Sequence, residues 1–163
     1  MIRIIQADYA RRSHAAALVY LLDAYARDPM GGGEPLSDFA KKHLASALAA
    51  RPQAFSLLAF EGDDESKPVG LANCIEGFST FACKPLVNLH DLVVLSSHRG
   101  SGIAQQLLEA VELAARQRGA CKLTLEVLSG NMGAVRLYER TGFANYQLDP
   151  QAGQAHFMQK WLD

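Results

Sequence analysis

The hydrophobic pattern alternates between the period of a strand and the period of a helix along the whole chain. Five stretches with alternating or clustered apolar residues are predicted strands: 2–6, 54–61, 69–78, 86–95 and 121–127. Four stretches with apolar residues every three or four positions are predicted helices: 15–27, 37–50, 102–118 and 131–140. Segments 144–148 and 156–162 are predicted to close the sheet as an antiparallel pair.

This order of elements predicts an α/β fold with a central sheet of mixed direction. The early strands form an antiparallel meander, with an acidic turn at 62–68. A strand–helix–strand crossover then makes strands 86–95 and 121–127 parallel. The helix stripe Ile103, Leu107, Val111 and Ala114 is predicted to be buried, and Ser13 to cap the first helix. We expect one domain over residues 1–163.

Composition and charge exclude several classes of function. The formal net charge is -1, which gives no reason to expect nucleic acid or an anionic membrane as a partner. No apolar stretch is long enough to span a bilayer, and the first residues lack the apolar core of a signal peptide. Cys74, Cys83 and Cys121 have no paired spacing, which favours reduced thiols in the cytoplasm. Neither they nor the histidines have the spacing of a metal site.

The most informative segment is 99–104, where an apolar strand turns through two glycines into a helix. Backbone N–H groups at a helix N-terminus, together with the helix dipole, bind anions such as phosphate. Gly100 and Gly102 let the backbone come close to a ligand. Taken alone, the same glycines also fit a tight strand–helix connection with no ligand.

Four segments together resemble the GCN5-related N-acetyltransferase (GNAT) family: 91–94, Arg99-Gly-Ser-Gly-Ile-Ala, Asn131-x-x-Ala and 137–143. The resemblance implies the GNAT fold, with its fourth and fifth strands splayed apart to admit the pantetheine arm of acetyl-CoA. Segment 78–85 loosely resembles the diamine-acetyltransferase-like branch.

The resemblance also implies which residues bind acetyl-CoA. The pyrophosphate cradle consists of Arg99, Gly100, Ser101, Gly102, Ile103 and Ala104. Leu92 and Val93 flank the pantetheine arm, and the Val94 backbone N–H meets the acetyl carbonyl. Asn131 contacts the same arm. The alternatives are core packing for the strand residues, a solvent-facing side chain for Arg99, and a helix N-cap for Asn131.

Two residues are candidates for proton transfer. In the family a tyrosine at the position of Tyr138 protonates the departing thiolate, whereas its alternative role is a core aromatic. His90 stands where several relatives have a glutamate base, and a histidine could take the amine proton; its alternative is a packed or surface residue. Strand alternation places Asp91 on the opposite face from His90. Glu76 is a second candidate base.

The expected function is therefore direct acetyl-CoA-dependent N-acetylation of a primary amine on a small molecule. Asp28, Glu34 and Glu76 either form an acidic mouth for a cationic amine or are ordinary surface charges. Acetylation of a protein N-terminus or lysine is an alternative within the enzyme class. A non-catalytic acyl-CoA-binding regulatory domain is an alternative from another class. A homodimer is compatible with either.

Overall fold

A computed structural model describes residues 1–162, in which one compact unit covers Met1–Leu125 and a second begins at Glu126. The first unit contains β1 (Ile2–Gln6), α1 (Arg12–Arg27), α2 (Asp38–Ala49), β2 (Ala54–Glu61), β3 (Pro68–Ser79), β4 (Lys84–Val94), α3 (Ile103–Gln117) and β5 (Leu123–Leu125). The second contains α4 (Met132–Arg140) and a short 3-10 turn at Pro150–Ala152. The predicted α/β class is confirmed.

The five strands form one sheet in chain order, β1-β2-β3-β4-β5. The first four are antiparallel to their neighbours, whereas β5 runs parallel to β4. A parallel pair needs a crossover connection, which α3 provides. The predicted mixed, mostly antiparallel sheet with parallel fourth and fifth strands is therefore confirmed.

Helices cover both faces of the sheet. On one face, Leu18 and Leu21 of α1 pack with Leu58 and Leu71 of the sheet, and α2 joins the edge of this cluster. On the other face, a Cβ placed on Gly70 would lie 3.0 Å from Leu107 and 3.2 Å from Ile103 of α3. The glycine therefore allows α3 to approach β3 closely, and a connection with a 3-10 turn at Ser96–His98 joins β4 to this helix.

Helix boundaries differ from the prediction by a few residues. The sequence leaves Ser37 and Asp38 as alternative caps of α2, and the structure shows Ser37, whose hydroxyl accepts the Ala40 N–H at 3.1 Å. In contrast, α1 begins after Arg11, with no side-chain cap, so Ser13 lies inside the helix. In α3 the fully buried position near the C-terminus is Ala115 rather than Ala114, because the buried stripe follows the 3.6-residue period.

The strand predicted over 121–127 is shorter in the structure, where only Leu123–Leu125 is a strand. The alternation of Cys121 with Leu123 and Leu125 predicts a core position for Cys121, but the residue is exposed. Its backbone N–H bonds to the Pro85 carbonyl before the strand begins. Among residues 1–162, β5 pairs with β4 alone, so alternation of apolar residues here does not bring the first one into the core.

The predicted closing strand pair at 144–148 and 156–162 is wrong for the described chain. These residues form no strand, and Tyr146, Leu148, Phe157 and Trp161 are exposed. Strand formation depends on a partner as well as on apolar alternation, and an isolated two-stranded hairpin is only marginally stable in water.

Candidate active site

The first feature of the site is a β-bulge in the middle of β4. Asn73 of β3 pairs with Asp91, and the next residue, Cys74, pairs with Leu89. His90 is therefore an extra residue with no partner on β3, which bends the strand and shifts its alternation by one position.

The second feature is an open edge on β4. Its parallel pairing with β5 covers only Val87–Leu89 opposite Leu123–Leu125. Beyond Leu89, no strand of the described residues 1–162 pairs with this side of β4. The pairing between β4 and β5 thus ends at Leu89, directly before the bulge residue His90, and the splaying that the resemblance implies stays a prediction.

The direction of the backbone groups follows from one hydrogen bond. The Leu95 N–H donates to the Val69 carbonyl at 3.0 Å, and so it points toward β3. Successive residues of a strand point their N–H groups to opposite edges. The N–H groups of Leu92 and Val94 therefore point to the open edge, whereas the Val93 side chain lies in the core with α1.

The third feature is the glycine turn between β4 and α3. Gly100 and Gly102 have φ of +78° and +83°, in the left-handed region that favours glycine. A Cβ on either residue would meet no other atom within 4 Å, so the space beside the turn is open. Gly102 is the N-cap of α3 and supplies no side-chain cap, and the first turn has no acidic residue. This turn suits an anion such as a pyrophosphate.

The Arg99 side chain is exposed, but it also forms two hydrogen bonds. Its Nη2 bonds to Asp28 Oδ2 at 2.7 Å, and its Nε bonds to the Val94 carbonyl at 3.3 Å. The hydrogen bond from Arg99 is the main cause that lowers the pKa of Asp28. Asp28 therefore already has a cationic partner and is not a free member of an acidic mouth.

The His90 side chain is exposed and contacts Asn88, with 3.3 Å between His90 Nδ1 and Asn88 Oδ1. Asn88 Nδ2 donates to the Thr124 hydroxyl at 3.1 Å and to the Thr124 carbonyl at 3.4 Å. A carbonyl can only accept, so the amide nitrogen must face Thr124. The amide oxygen then faces His90, whose Nδ1 must donate. In the neutral imidazole with its proton on Nδ1, the other ring nitrogen, Nε2, carries the lone pair that can accept a proton.

His90 and Asp91 lie on the same face of the sheet, so the opposite faces that strand alternation predicts for them are wrong. Asp91 bonds to Asn73, on the α1 face. Asn88 pairs in register with Ile75, which is two residues from Asn73 and shares its face. His90 contacts Asn88 on that face because the bulge cancels one step of alternation.

Glu76, the second candidate base, lies on the α3 face. Its carboxylate forms an ion pair with Arg118 at 3.3 Å, and the Arg118 guanidinium stacks 4.2 Å from the centre of the Phe55 ring. Glu76 is thus separated by the sheet from His90, and its charge is already paired.

The second unit contains the remaining predicted residues. Asn131 is the N-cap of α4, where its side chain accepts the Ala134 N–H at 3.3 Å. Tyr138 is half-buried in α4, and its ring meets that of Phe143 edge-on at 5.7 Å between centres. The N-cap role of Asn131 is confirmed, while the contact with pantetheine stays a prediction.

Sequence reasoning missed the contributions of Asn88, Thr124 and Asn73. Asn88 and Asn73 are polar residues inside strands with mostly apolar neighbours, and that exception was the available signal. Their partners come from other strands, so the contacts depend on register and on the bulge.

A mixed sheet with a parallel β4–β5 pair, followed by a glycine turn that opens a helix, is the fold that the resemblance to acetyltransferases implied. The chain belongs to the acetyltransferase (GNAT) family, whose model matches residues 18–143. Acetyltransferases of this family use acetyl-CoA as co-substrate. Among residues 1–162, no helix is long and apolar enough to cross a membrane.

Individual relatives agree with this family. Streptothricin acetyltransferase of Streptomyces lavendulae is 35% identical over 96 residues, which are 55% of this chain and 51% of the relative. The regions matched cover 35% to 51% of the length of the first curated relatives. The crystal structure of a probable acetyltransferase has a TM-score of 0.81 at 22% identity, covering 99% of both chains. An aminoglycoside acetyltransferase from a soil metagenome has a TM-score of 0.77 at 19% identity, covering 99% of this chain and 97% of its own.

Proposed function

We propose that this protein transfers the acetyl group of acetyl-CoA directly to a primary amine of a small molecule. The observation that carries the proposal is the open edge of β4, which runs from the bulge at His90 into the glycine turn at Gly100 and Gly102. An acetyl-CoA molecule along this edge would have its phosphates at the glycine turn and its acetyl group near the titratable side chain of His90.

The binding half of the proposal uses backbone groups. The N–H groups of residues 100–104 take the pyrophosphate, and the left-handed glycines leave room for its close approach. The Val94 N–H, which points to the open edge, donates to the acetyl carbonyl and stabilises the negative charge that develops there. Leu92 and Asn131 contact the pantetheine arm. Arg99 orients the turn through its bonds to Asp28 and the Val94 carbonyl.

The chemical half uses His90 and Tyr138. His90 Nε2 takes a proton from the substrate ammonium, and the amine nitrogen then attacks the thioester carbon. The new C–N bond forms as the C–S bond breaks, and the Tyr138 hydroxyl gives its proton to the departing thiolate. No covalent intermediate with the enzyme is required.

The curated relatives support a small acceptor in two cases and a protein acceptor in one. Streptothricin acetyltransferase and L-methionine sulfoximine/L-methionine sulfone acetyltransferase match longer segments of this chain, 55% and 45% of it, than N-alpha-acetyltransferase 30, which matches 34%. We extend to this chain only the class of acceptor, a small molecule, and no particular substrate. The reason is that each match either covers part of the curated relative or has low identity. An N-terminal or lysine acetyltransferase remains the competing assignment.

A thiol-release assay tests the function. CoA release from acetyl-CoA is followed with a panel of diamines, aminoglycosides, amino acids and peptides. We expect release above background with small amines, and the acetylated amine in the product mass spectrum. Faster release with peptides than with any small amine would favour the protein-acetylation alternative, and background release throughout would contradict catalysis.

The role of His90 is tested by the pH dependence of kcat/KM for one amine. In the wild type the rate should depend on the protonation state of the general base, and so it should rise with pH. His90→Gln keeps a polar side chain of similar reach but cannot accept the proton, so this dependence should weaken and the rate should fall. Superimposable profiles would make His90 structural.

The setting of the protein belongs to the same proposal. We propose one acetyltransferase domain acting in the cytoplasm, where the exposed thiols of Cys83 and Cys121 would stay reduced. We also propose a homodimer, in which a second copy covers exposed side chains such as Leu148 and Trp161. Light scattering after size-exclusion chromatography measures the assembly, and a monomeric mass would exclude the dimer.

A further inference from the structure

A row of hydrogen-bonded polar side chains crosses the α1 face of the sheet from β2 to β4. The Tyr9 hydroxyl lies 2.8 Å from Ser56 Oγ. Ser56 Oγ lies 2.6 Å from Asn73 Oδ1, and Asn73 Nδ2 lies 2.9 Å from Asp91 Oδ2. Ser56 is 1% exposed and Asn73 is 5% exposed, whereas the surrounding positions of this face are apolar.

All hydrogens in this row point the same way. An ionised carboxylate only accepts, so Asn73 must turn its amide nitrogen toward Asp91 and its oxygen toward Ser56. The single hydroxyl hydrogen of Ser56 is then used on Asn73, and Tyr9 must donate to Ser56. Donors aligned in series polarise one another toward their last acceptor. The row therefore ends on the negative charge of Asp91.

The row is an expensive way to connect three strands. A buried polar group left without its partner costs about 1–3 kcal/mol, whereas apolar residues of similar shape would fill the same space without that risk. The row holds the Asp91 carboxylate in a fixed position, which apolar residues could not do. Asp91 follows the bulge residue His90 on the same face, and among residues 1–162 no hydrogen bond to its Oδ1 is found.

We propose that Asp91 binds the ammonium group of the acceptor amine beside His90, so the enzyme selects cationic acceptors. This inference rests on the proposed acetyl transfer. Asn73 holds Oδ2, which leaves Oδ1 for the substrate N–H groups. When the proton passes from the ammonium to His90, the carboxylate stabilises the imidazolium instead, and the net charge of the three groups does not change. Burial raises the pKa of the Tyr25 hydroxyl, and the nearby negative charge of Asp91 raises it further.

Asp91→Asn is the direct test, because it removes the charge and keeps the shape. A hydrogen bond to a charged group is worth about 1.5–3 kcal/mol, so the KM for the amine should rise about 10-fold to 150-fold. The dissociation constant of acetyl-CoA should not change. Asp63→Asn removes one negative charge from the exposed turn after β2 and should leave both constants unchanged.

Calorimetry on the protein saturated with CoA separates this inference from the proposed function. The probe is the fastest amine of the thiol-release panel, or 1,4-diaminobutane if none is acetylated. Background thiol release throughout would contradict acetylation, while amine binding that is weakened tenfold or more in Asp91→Asn would still support the ammonium site. Equal amine binding in folded Asp91→Asn and wild type would overturn it.

The wild-type protein gives a second test that does not depend on a folded variant. The alcohol in which hydroxyl replaces each amino group of the probe, 1,4-butanediol for 1,4-diaminobutane, should bind at least tenfold more weakly than the amine. Equal binding of the alcohol and the amine would overturn recognition of a cation.

Discussion

Two glycines at opposite ends of α3 allow a matched test of the glycine turn. Gly102 precedes the helix with φ of +83°, and Gly119 follows it with φ of +72°. A Cβ on either would meet no atom within 4 Å. Gly102→Ala and Gly119→Ala should therefore have the same cost, the left-handed strain of a residue with a Cβ, about 1–2 kcal/mol.

The assay is thermal unfolding with and without acetyl-CoA. For a chain of this size 1 kcal/mol corresponds to about 2–4 °C, so both variants should lose roughly 2–8 °C in Tm without ligand. At a concentration of 100 times the wild-type Kd, acetyl-CoA should add about 2.7 kcal/mol to wild type and to Gly119→Ala. The methyl group of Gly102→Ala occupies space meant for the phosphates. A tenfold loss of affinity there would reduce the added stability to about 1.4 kcal/mol.

The comparison of the two variants decides the result. The reasoning is refuted if acetyl-CoA raises the Tm of Gly102→Ala as much as it raises that of Gly119→Ala. A larger loss of ligand-free stability in Gly102→Ala would instead mean that the turn contributes to folding beyond its strain.

Three further predictions concern single side chains. Tyr138→Phe should lower kcat by about 10²-fold or more, because the general acid is lost, with little change in acetyl-CoA binding; unchanged kcat would leave Tyr138 as a core aromatic. Burial raises the pKa of the Cys74 thiol to about 12, so a thiol titration of the native protein should count Cys83 and Cys121 and find Cys74 only after unfolding. Because the pKa of Asp28 is lowered in the folded state, its stabilising contribution is present at neutral pH and is lost as pH falls through that lowered pKa. Asp28→Asn should therefore lose less stability than wild type between about pH 7 and about pH 3 in urea unfolding.

The sequence predicted the order of helices and strands, the parallel crossover and the glycine turn, because local periodicity and turn residues determine these. It failed where a feature depends on a distant partner. The alternation at 144–148 is compatible with a strand but cannot supply the neighbouring strand. The bulge at His90 depends on how β4 aligns with β3, so periodicity alone placed Asp91 on the wrong face.

The bulge also changes which numbered positions of β4 turn their backbone N–H groups toward the β5 side. Before it, odd-numbered residues turn their backbone toward β5, as the bond from the Val87 N–H to the Lys122 carbonyl indicates. After it, even-numbered residues turn that way, and Val94 is among them. Asn73 and Cys74 are adjacent on β3, so deleting the extra residue would leave the other pairs of β3 and β4 in register, and the Val94 N–H would still point away from β3. The consequence of the extra residue is therefore a bend in β4, next to the place where its pairing with β5 ends, while both halves of the strand stay aligned with β3.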